Sequence, residues 1–258
     1  MQLFDGNYQG SLLDQQIKKH IQSFPCRNRL GIVQIGDNSS STKYVFLKKK
    51  KCEELGIECL VFKYDSELSM EELKSHVEII AKDPYISGFI IQLPLPLGKY
   101  DFLIKLIPSE KDIDNLTNSL TFDSPVVRAL GYFLDWGKIS LKNNEVCVIG
   151  DGNLVGKPLA KYCEKKGAGV TVNTNYKTGD KITADLIIVG VGIPGLVKGE
   201  DVKQGANVVD FGSAVVEGRV MGDFDVASHL SHLGIISPSP GGLGPLVVRY
   251  LIMNFLGI

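Results

Sequence analysis

Apolar positions along the chain alternate between two rhythms. Leu12, Leu13, Ile17, Ile21 and Phe24 fall at helical spacing, and the unbroken run LGIVQI (30–35) after them reads as a buried strand. Residues 41–56 return to the helical rhythm, and IECLVF (57–62) to a strand. Leu73, Val77 and Ile80 mark a further amphipathic helix, and SGFIIQLPLP (87–96) is a strand stopped by two prolines. This alternation predicts βαβ units on a mainly parallel sheet.

The polar, proline-bounded stretch IPSEKDIDN (107–115) reads as a hinge between two domains. SPVVRALGYFLDW (124–136) is a helix, and EVCVIG (145–150), VTVN (170–173), DLIIVG (185–190) and NVVDFG (207–212) are four strands ending in polar or glycine residues. They predict a second, nucleotide-binding sheet. LVVRYLIMNFL (246–256) is apolar enough for a helix that docks back onto the first domain. The fold class expected is α/β, with an amino-terminal domain of residues 1–115 plus 243–258 and a Rossmann-like domain of residues 116–242.

Composition narrows the partners. A net charge of −1 over 258 residues provides no global field for nucleic acid or an anionic membrane. The 44% hydrophobic and 22% charged content suits a globular protein with a sizeable core. No apolar run reaches membrane-spanning length, and MQLFDGNYQG lacks a basic segment followed by an apolar one, so no secretory signal is expected. Cys26, Cys52, Cys59, Cys147 and Cys163 are odd in number and follow no tight pairing pattern, which fits a reduced, cytoplasmic chain. His229 and His232 stand three apart with no third ligand evident, so no metal is expected.

The stretch STKYVFLKKKKC (41–52) carries four consecutive lysines. On a wheel turned about 100° per residue, Tyr44, Val45, Cys52 and Leu55 share one arc, and Lys48 sits in its middle. Lys49 lies at the rim, Lys50 points away and Lys51 is at the opposite edge near Leu47, so these three are expected to reach solvent. Lys48, one turn after Tyr44, has to snorkel outward, pair with a charge or line a cavity. Lining a cavity would make it a usable acid–base group. Gln92, at the carboxyl end of an apolar strand, either caps that strand or faces the side on which α/β sheets bind ligands. Asp112 and Asp114 stand two apart on one side of an extended segment, and each alone reads as a turn or capping residue.

VCVIGDGNLVGKPLA is strand, glycine turn, then helix. Its spacing Gly150-x-Gly152-x-x-x-Gly156 is one residue longer than the usual dinucleotide fingerprint. The physics tolerates the extra residue: Gly150, Asp151, Gly152 and Asn153 let backbone approach a pyrophosphate, and the helix start after Val155 and Gly156 supplies N–H donors. VGVGIPG (189–195), with Val191 and Gly192, is a second glycine loop suited to a nicotinamide end. DFGS (210–213), with Ser213, is a third strand end expected on the same crevice. An acid about 20 residues on usually holds the adenosine ribose. Here that zone reads NTNYKTG (173–179), offering Asn175 and Lys177 instead, while Asp151 would repel a 2′-phosphate, so NADP and NAD both stay open.

In this order STKYVFLKKKK, GFIIQLPLP, KDID, GDGNLVGKP, GDFD (222–225) and SPSPGGLGP (237–245) span nearly the whole chain and resemble the bifunctional methylenetetrahydrofolate dehydrogenase/methenyltetrahydrofolate cyclohydrolases. The resemblance implies oxidation of 5,10-methylenetetrahydrofolate with NADP, or with NAD, followed by hydrolysis to 10-formyltetrahydrofolate. It implies that Lys48 is catalytic, Tyr44 stacks on the folate, Gln92 hydrogen-bonds the lysine and Asp114 holds the pterin. Ser41 occupies a serine position near the same site, and Pro240, Gly241 and Gly242 would close over substrate. Residues 1–115 plus 243–258 then form the folate-binding catalytic domain and 116–242 the NAD(P)-binding domain, with the active-site cleft between them. The expected partners are tetrahydrofolate derivatives and a second copy in a cytoplasmic homodimer, with no nucleic acid, membrane or metal. A dehydrogenase-only member and a non-catalytic folate- or dinucleotide-binding protein are the alternatives. The chain departs from the family pattern at Asn115, where glycine is usual, at LTNSLTF (116–122), at SPVVRALG, at Asp151, often arginine in NADP-using members, and at Leu246–Val247.

Overall fold

The structure, a computed structural model, describes residues 1–96, 101–119 and 121–258; Leu120, inside the divergent 116–122 stretch, lies outside the described residues. In chain order the first elements are β1 (Gln2–Leu3), α1 (Gly6–Ser23), β2 (Arg29–Ile35), α2 (Ser39–Glu54), β3 (Cys59–Tyr64), α3 (Met70–Lys82), β4 (Ile86–Ile91) and the single turn α4 (Asp101–Ile104). There follow α5 (Pro125–Gly137), β5 (Glu145–Ile149), α6 (Gly156–Lys165), β6 (Gly169–Asn173), β7 (Leu186–Val189), β8 (Val197–Lys198) and β9 (Asn207–Asp210). The chain ends with β10 (Ala214–Val216), β11 (Arg219–Met221), β12 (Phe224–Asp225), β13 (Ile235–Ser237) and α7 (Gly244–Leu256). No helix among the described residues is long and apolar enough to cross a membrane. Two compact units result, one of Met1–Ser11 with Val126–Val247 and one of Leu12–Pro125 with Val248–Ile258.

In the unit of Leu12–Pro125 and Val248–Ile258, β3, β2 and β4 form a parallel sheet in that order. Leu30, Ile32 and Ile90 pack with Ile17 of α1, Val45 and Cys52 of α2 and Leu251, Ile252 and Phe255 of α7. Val33, Ile35, Phe89 and Ile91 pack with Leu73, Val77 and Ile80 of α3. Burial on both faces is why these strands are unbroken apolar runs. The carboxyl-terminal helix docks on this sheet, as its composition predicts. Ser69 and Glu72 form a reciprocal capping box that starts α3. Phe24, expected on the apolar stripe of the first helix, lies beyond its end and is 67% exposed.

The stretch 107–115 is packed inside this unit and is not a hinge. Ile107 and Ile113 are core residues, and the fully buried Asp112 accepts from the backbone N–H groups of Leu116 (2.9 Å) and Thr117 (2.8 Å). Its polarity satisfies its own turn. Nor is the segment extended: residues 109–111 make one 3₁₀ turn, and tight turns follow.

In the other unit six parallel strands run in the order β1-β13-β9-β7-β5-β6. The two-residue β1 explains why Met1–Ser11 belongs here, although the sequence placed residues 1–115 together in the first domain: Gln2 pairs with Ile235 and Leu3 with Ile236. Phe4 then sits edge-on to Phe133 (5.4 Å) and Trp136 (5.0 Å) of α5. No α-helix joins β7 to β9; the link carries β8 and a short 3₁₀ turn, and β8 pairs with β12.

Three helices of the Leu12–Pro125 and Val248–Ile258 unit meet at Asp14. Arg249 on α7 donates to both its oxygens (3.0 and 2.8 Å), and Lys51 on α2 donates at 3.1 Å. Burial works against ionisation there, but the hydrogen bonds and charges of Arg249 and Lys51 overcome it and hold the carboxyl below its ordinary range. A depressed folded pKa contributes stability above the ordinary carboxylate pKa and loses it as pH falls through the folded value. Asp14→Asn is therefore expected to cost about 2 kcal/mol near neutral pH. Urea denaturation repeated toward about pH 2 should show the difference from wild type vanish.

Candidate active site

Helix α2 is set by Asn38, whose side chain accepts from Ser41 N–H at 3.0 Å. Its buried residues are Ser41, Val45, Lys48 and Cys52, one stripe at helical spacing. Lys48 is therefore carried inward and is only 7% exposed. Its Nζ donates to Oε1 of Gln92 at 3.1 Å and stands 3.6 Å from Oδ2 of Asp114. The pairing, rather than snorkelling, resolves the three courses open to a lysine on this face. Gln92 follows β4 directly; its backbone N–H donates to Val33 and its side-chain nitrogen to the Leu93 carbonyl (2.7 Å). That second bond fixes which end of the amide meets the lysine. Because it is the oxygen, Gln92 orients the amine as a donor. Ser41 Oγ donates to the same Leu93 carbonyl at 3.3 Å.

Asp114 is presented by the turn that Asp112 ties. The two aspartates thus have separate tasks, one holding backbone and one facing the lysine. Asn254 of α7 adds support the sequence did not reveal, donating to the carbonyls of Ile113 and Asp123 at 2.8 Å each. Asn115 has φ +55°, the left-handed region where asparagine is the usual substitute for glycine, so this departure preserves the turn. Tyr44 is half-buried one turn before Lys48. Lys49 and Lys50 are exposed and lie 3.7 and 4.0 Å from Glu53 and Glu54. Lys51, expected in solvent, is instead drawn to Asp14.

The other unit carries the glycine loops. Gly150 has φ +100°, and a Cβ there would meet the Gly190 carbonyl at 3.1 Å. A Cβ on Gly156 would fall 2.1 Å from the Gly150 carbonyl, so the turn requires glycine at both places. Helix α6 begins at Gly156 with no side-chain cap from Val155; Lys157 N–H donates to the Gly152 carbonyl (3.1 Å), Leu159 N–H to that of Val155 (3.1 Å), and Pro158 has no N–H, so a ligand at this helix start could be met by no more than the Gly156 N–H of the first turn. A cavity of about 320 Å³ opens here, walled by Gly150, Asp151 and Gly152, by Asn173 and Thr174 at the end of β6, and by Val191 and Ile193 of the second loop. Among the described residues, Asp151 is the one charged member of that wall.

The remaining expected residues frame this cavity or stand apart from its wall. Val155 packs under Gly190, Asn153 accepts from Lys157 (2.9 Å), and Asn175 donates its N–H to the Asn173 side chain (3.0 Å). Gly192 donates its N–H to Asp223 (2.9 Å), and Ser213 is half-buried between β9 and β10, away from the wall. Tyr176 is a wall residue the sequence did not single out, although NTNYKTG contains it. Its hydroxyl donates to Asp201 at 3.2 Å; burial first, then the Asp201 charge, push its pKa up. Pro240, Gly241 and Gly242 also belong to this unit, where the Gly241 carbonyl takes the Gly6 N–H at 2.8 Å. His229 and His232 stack at 5.3 Å, and the described residues gather no group of three histidine, cysteine or acidic side chains suited to a metal.

The family model for the tetrahydrofolate dehydrogenase/cyclohydrolase catalytic domain matches residues 4–114, and that for the family's NAD(P)-binding domain matches residues 125–258. The bifunctional protein FolD of Mycoplasmopsis synoviae is 32% identical, covering 100% of this chain and 99% of that protein. The crystal structure of the bifunctional methylenetetrahydrofolate dehydrogenase/cyclohydrolase FolD of Campylobacter jejuni superposes with a TM-score of 0.88 at 30% identity, covering 100% of this chain and 98% of the other. The Trypanosoma brucei enzyme, solved with NADP and an inhibitor, gives a TM-score of 0.88 at 25% identity, over 98% and 95% of the two chains. With both halves matched in order and relatives aligned end to end, the chain belongs to the tetrahydrofolate dehydrogenase/cyclohydrolase family.

Proposed function

We infer that the chain oxidises 5,10-methylenetetrahydrofolate to 5,10-methenyltetrahydrofolate with a nicotinamide dinucleotide and hydrolyses that product to 10-formyltetrahydrofolate. The observation that carries this reading is the buried Lys48 amine, held between Gln92 Oε1 and Asp114 Oδ2. A bound nicotinamide dinucleotide supplies the hydride acceptor. Its fit rests on the two glycine loops that wall the cavity and on Gly156 at the start of α6, where no side chain caps the helix. Gly150, Asp151, Gly152 and Val191 are the proposed contacts.

The hydrolytic step needs proton movement. Water adds to the methenyl carbon and releases one proton; the remaining hydroxyl then gives up its proton as the bond from that carbon to N5 breaks and N5 gains a proton, leaving the formyl group on N10 with one proton released overall. Lys48 is the proposed proton carrier, with Gln92 and Asp114 fixing where its amine points and Tyr44 and Asp114 holding the pterin. Five free thiols suit a reducing compartment, and a homodimer remains the expectation from the family resemblance.

The wall of the cavity also bears on cofactor choice. Asn173 and Thr174 sit where a Rossmann strand usually presents its ribose-binding acid. Asp151 is the carboxylate nearest that role, and it accepts ribose hydroxyls while repelling a 2′-phosphate. NAD is the preferred cofactor on this ground, although NADP was the first expectation from the resemblance.

Two measurements test the reading. Lys48→Met should keep the circular dichroism of wild type and lose at least ~10² in cyclohydrolase rate, whereas Lys50→Met, on the exposed side of α2, should leave it within about twofold. Normal hydrolysis in Lys48→Met would remove that lysine from the role. Asp151→Arg should raise the NADP-to-NAD ratio of kcat/KM by about tenfold, equivalent to about 1.4 kcal/mol; an unchanged ratio would place Asp151 away from the ribose.

A further inference from the structure

The GDFD motif (222–225) and the aspartate of DFGS (210–213) have no part in the mechanism above, yet both aspartates are buried. Asp210 ends β9. Its Oδ1 accepts from the N–H groups of Gly212 (2.7 Å) and Asp223 (3.2 Å), and its Oδ2 accepts from Phe224 N–H (3.0 Å). Asp223 in turn uses Oδ2 to accept from Val191 N–H (2.6 Å) and Gly192 N–H (2.9 Å). Neither carboxyl is paired with a lysine or arginine among the described residues. Burial pushes both pKa values up, that of Asp210 to about 7, against the pull of the backbone donors.

Two buried acids without a counter-charge are a costly way to hold a loop for stability alone. Position explains their use. Val191 is a wall residue of the dinucleotide cavity, and Gly192 (φ +83°) is the bend that follows it. Their N–H groups turn inward onto Asp223, which leaves the Val191 side chain 43% exposed on the outer side. The 222–224 turn holds the same loop by its backbone: Gly195 N–H donates to the Gly222 carbonyl (3.0 Å) and Val197 N–H to the Asp223 carbonyl (3.0 Å). Glycine is required beside both acids. A Cβ on Gly212 would lie 2.3 Å from Asp223 Oδ1, and one on Gly222 would lie 2.0 Å from Asp210 Oδ2. Asp223 Oδ1 itself is buried with no partner.

We propose that Asp223, seated by Asp210, is a positioning residue for hydride transfer, fixing the 191–192 backbone that walls the nicotinamide end of the cavity. The proposal rests on the dehydrogenase reading given above. It separates the two activities, because the Lys48–Gln92–Asp114 set belongs wholly to the other compact unit.

The test compares Asp223→Ala with wild type in two assays: dehydrogenation of methylenetetrahydrofolate, and hydrolysis of methenyltetrahydrofolate supplied directly. Dehydrogenase kcat should fall by ~10- to ~100-fold, as misplacement of a reacting partner does, with hydrolysis within about twofold of wild type. Asp223→Asn should recover most of the loss, since its amide oxygen can take both N–H groups and its nitrogen the site of the unpartnered oxygen. If the alanine variant does not fold, Asp223→Ser, too short to reach both donors, carries the same comparison. Equal loss of both activities would reduce Asp223 to a structural role, and no loss in either would remove the clamp; both outcomes overturn the proposal. Absence of dehydrogenation in wild type would instead overturn the reading on which it rests.

Discussion

A long cationic side chain withdrawn from water must be given acceptors, and the catalytic unit is arranged around that requirement at Lys48. The lysine lies on the same stripe of α2 as Val45 and Cys52, so the packing of the helix on its sheet and the burial of the amine are one event. Its two acceptors come from different places in the chain. Gln92 is delivered by the end of β4, whose last ladder bond reaches Val33, and Asp114 by a turn that the buried Asp112 ties. Substituting either support would shift an acceptor without touching the amine.

The dinucleotide unit answers a different constraint, the approach of backbone to backbone. Gly150, Gly156 and Gly190 bring the first loop, the start of α6 and the second loop together at distances that no side chain permits. Loops that close cannot carry large stabilising side chains of their own. The second one is held from behind by Asp223, whose Oδ2 takes its inward N–H groups. A backbone amide that is otherwise without a partner would leave the loop free to turn its donors to water.

Much of this was legible in the chain. The wheel placed Lys48 inside because period and burial coincide in α2, and the βαβ alternation of the first unit emerged because both faces of its β3-β2-β4 sheet are covered. What misled was non-local. The 107–115 stretch is polar, like a linker, but its polarity is consumed internally by Asp112. Met1–Ser11 joins the second unit through a strand of two residues, too short to leave a period. Lys51 resembles its solvated neighbours until Asp14, 37 residues earlier, is brought to it. Tyr176 and the buried aspartates carry no local signature, since their roles depend on which strand ends meet.

The shared logic is that each functional group is aimed by a buried polar neighbour that does not itself react. Gln92 fixes the amine through an amide whose other end is tied to Leu93, Asp112 presents Asp114, and Asp210 presents the turn bearing Asp223. Such supports tolerate little substitution in type, because each uses several hydrogen-bonding positions at once in water-poor surroundings. Two family positions vary differently. The half-buried Asn115 stands where glycine is usual and takes a positive φ, and the exposed Asp151 stands where arginine is common, in a loop that keeps its glycines. The departure at Asp151 therefore falls where it can alter ligand preference, while the buried groups that aim the chemistry are held by several partners each.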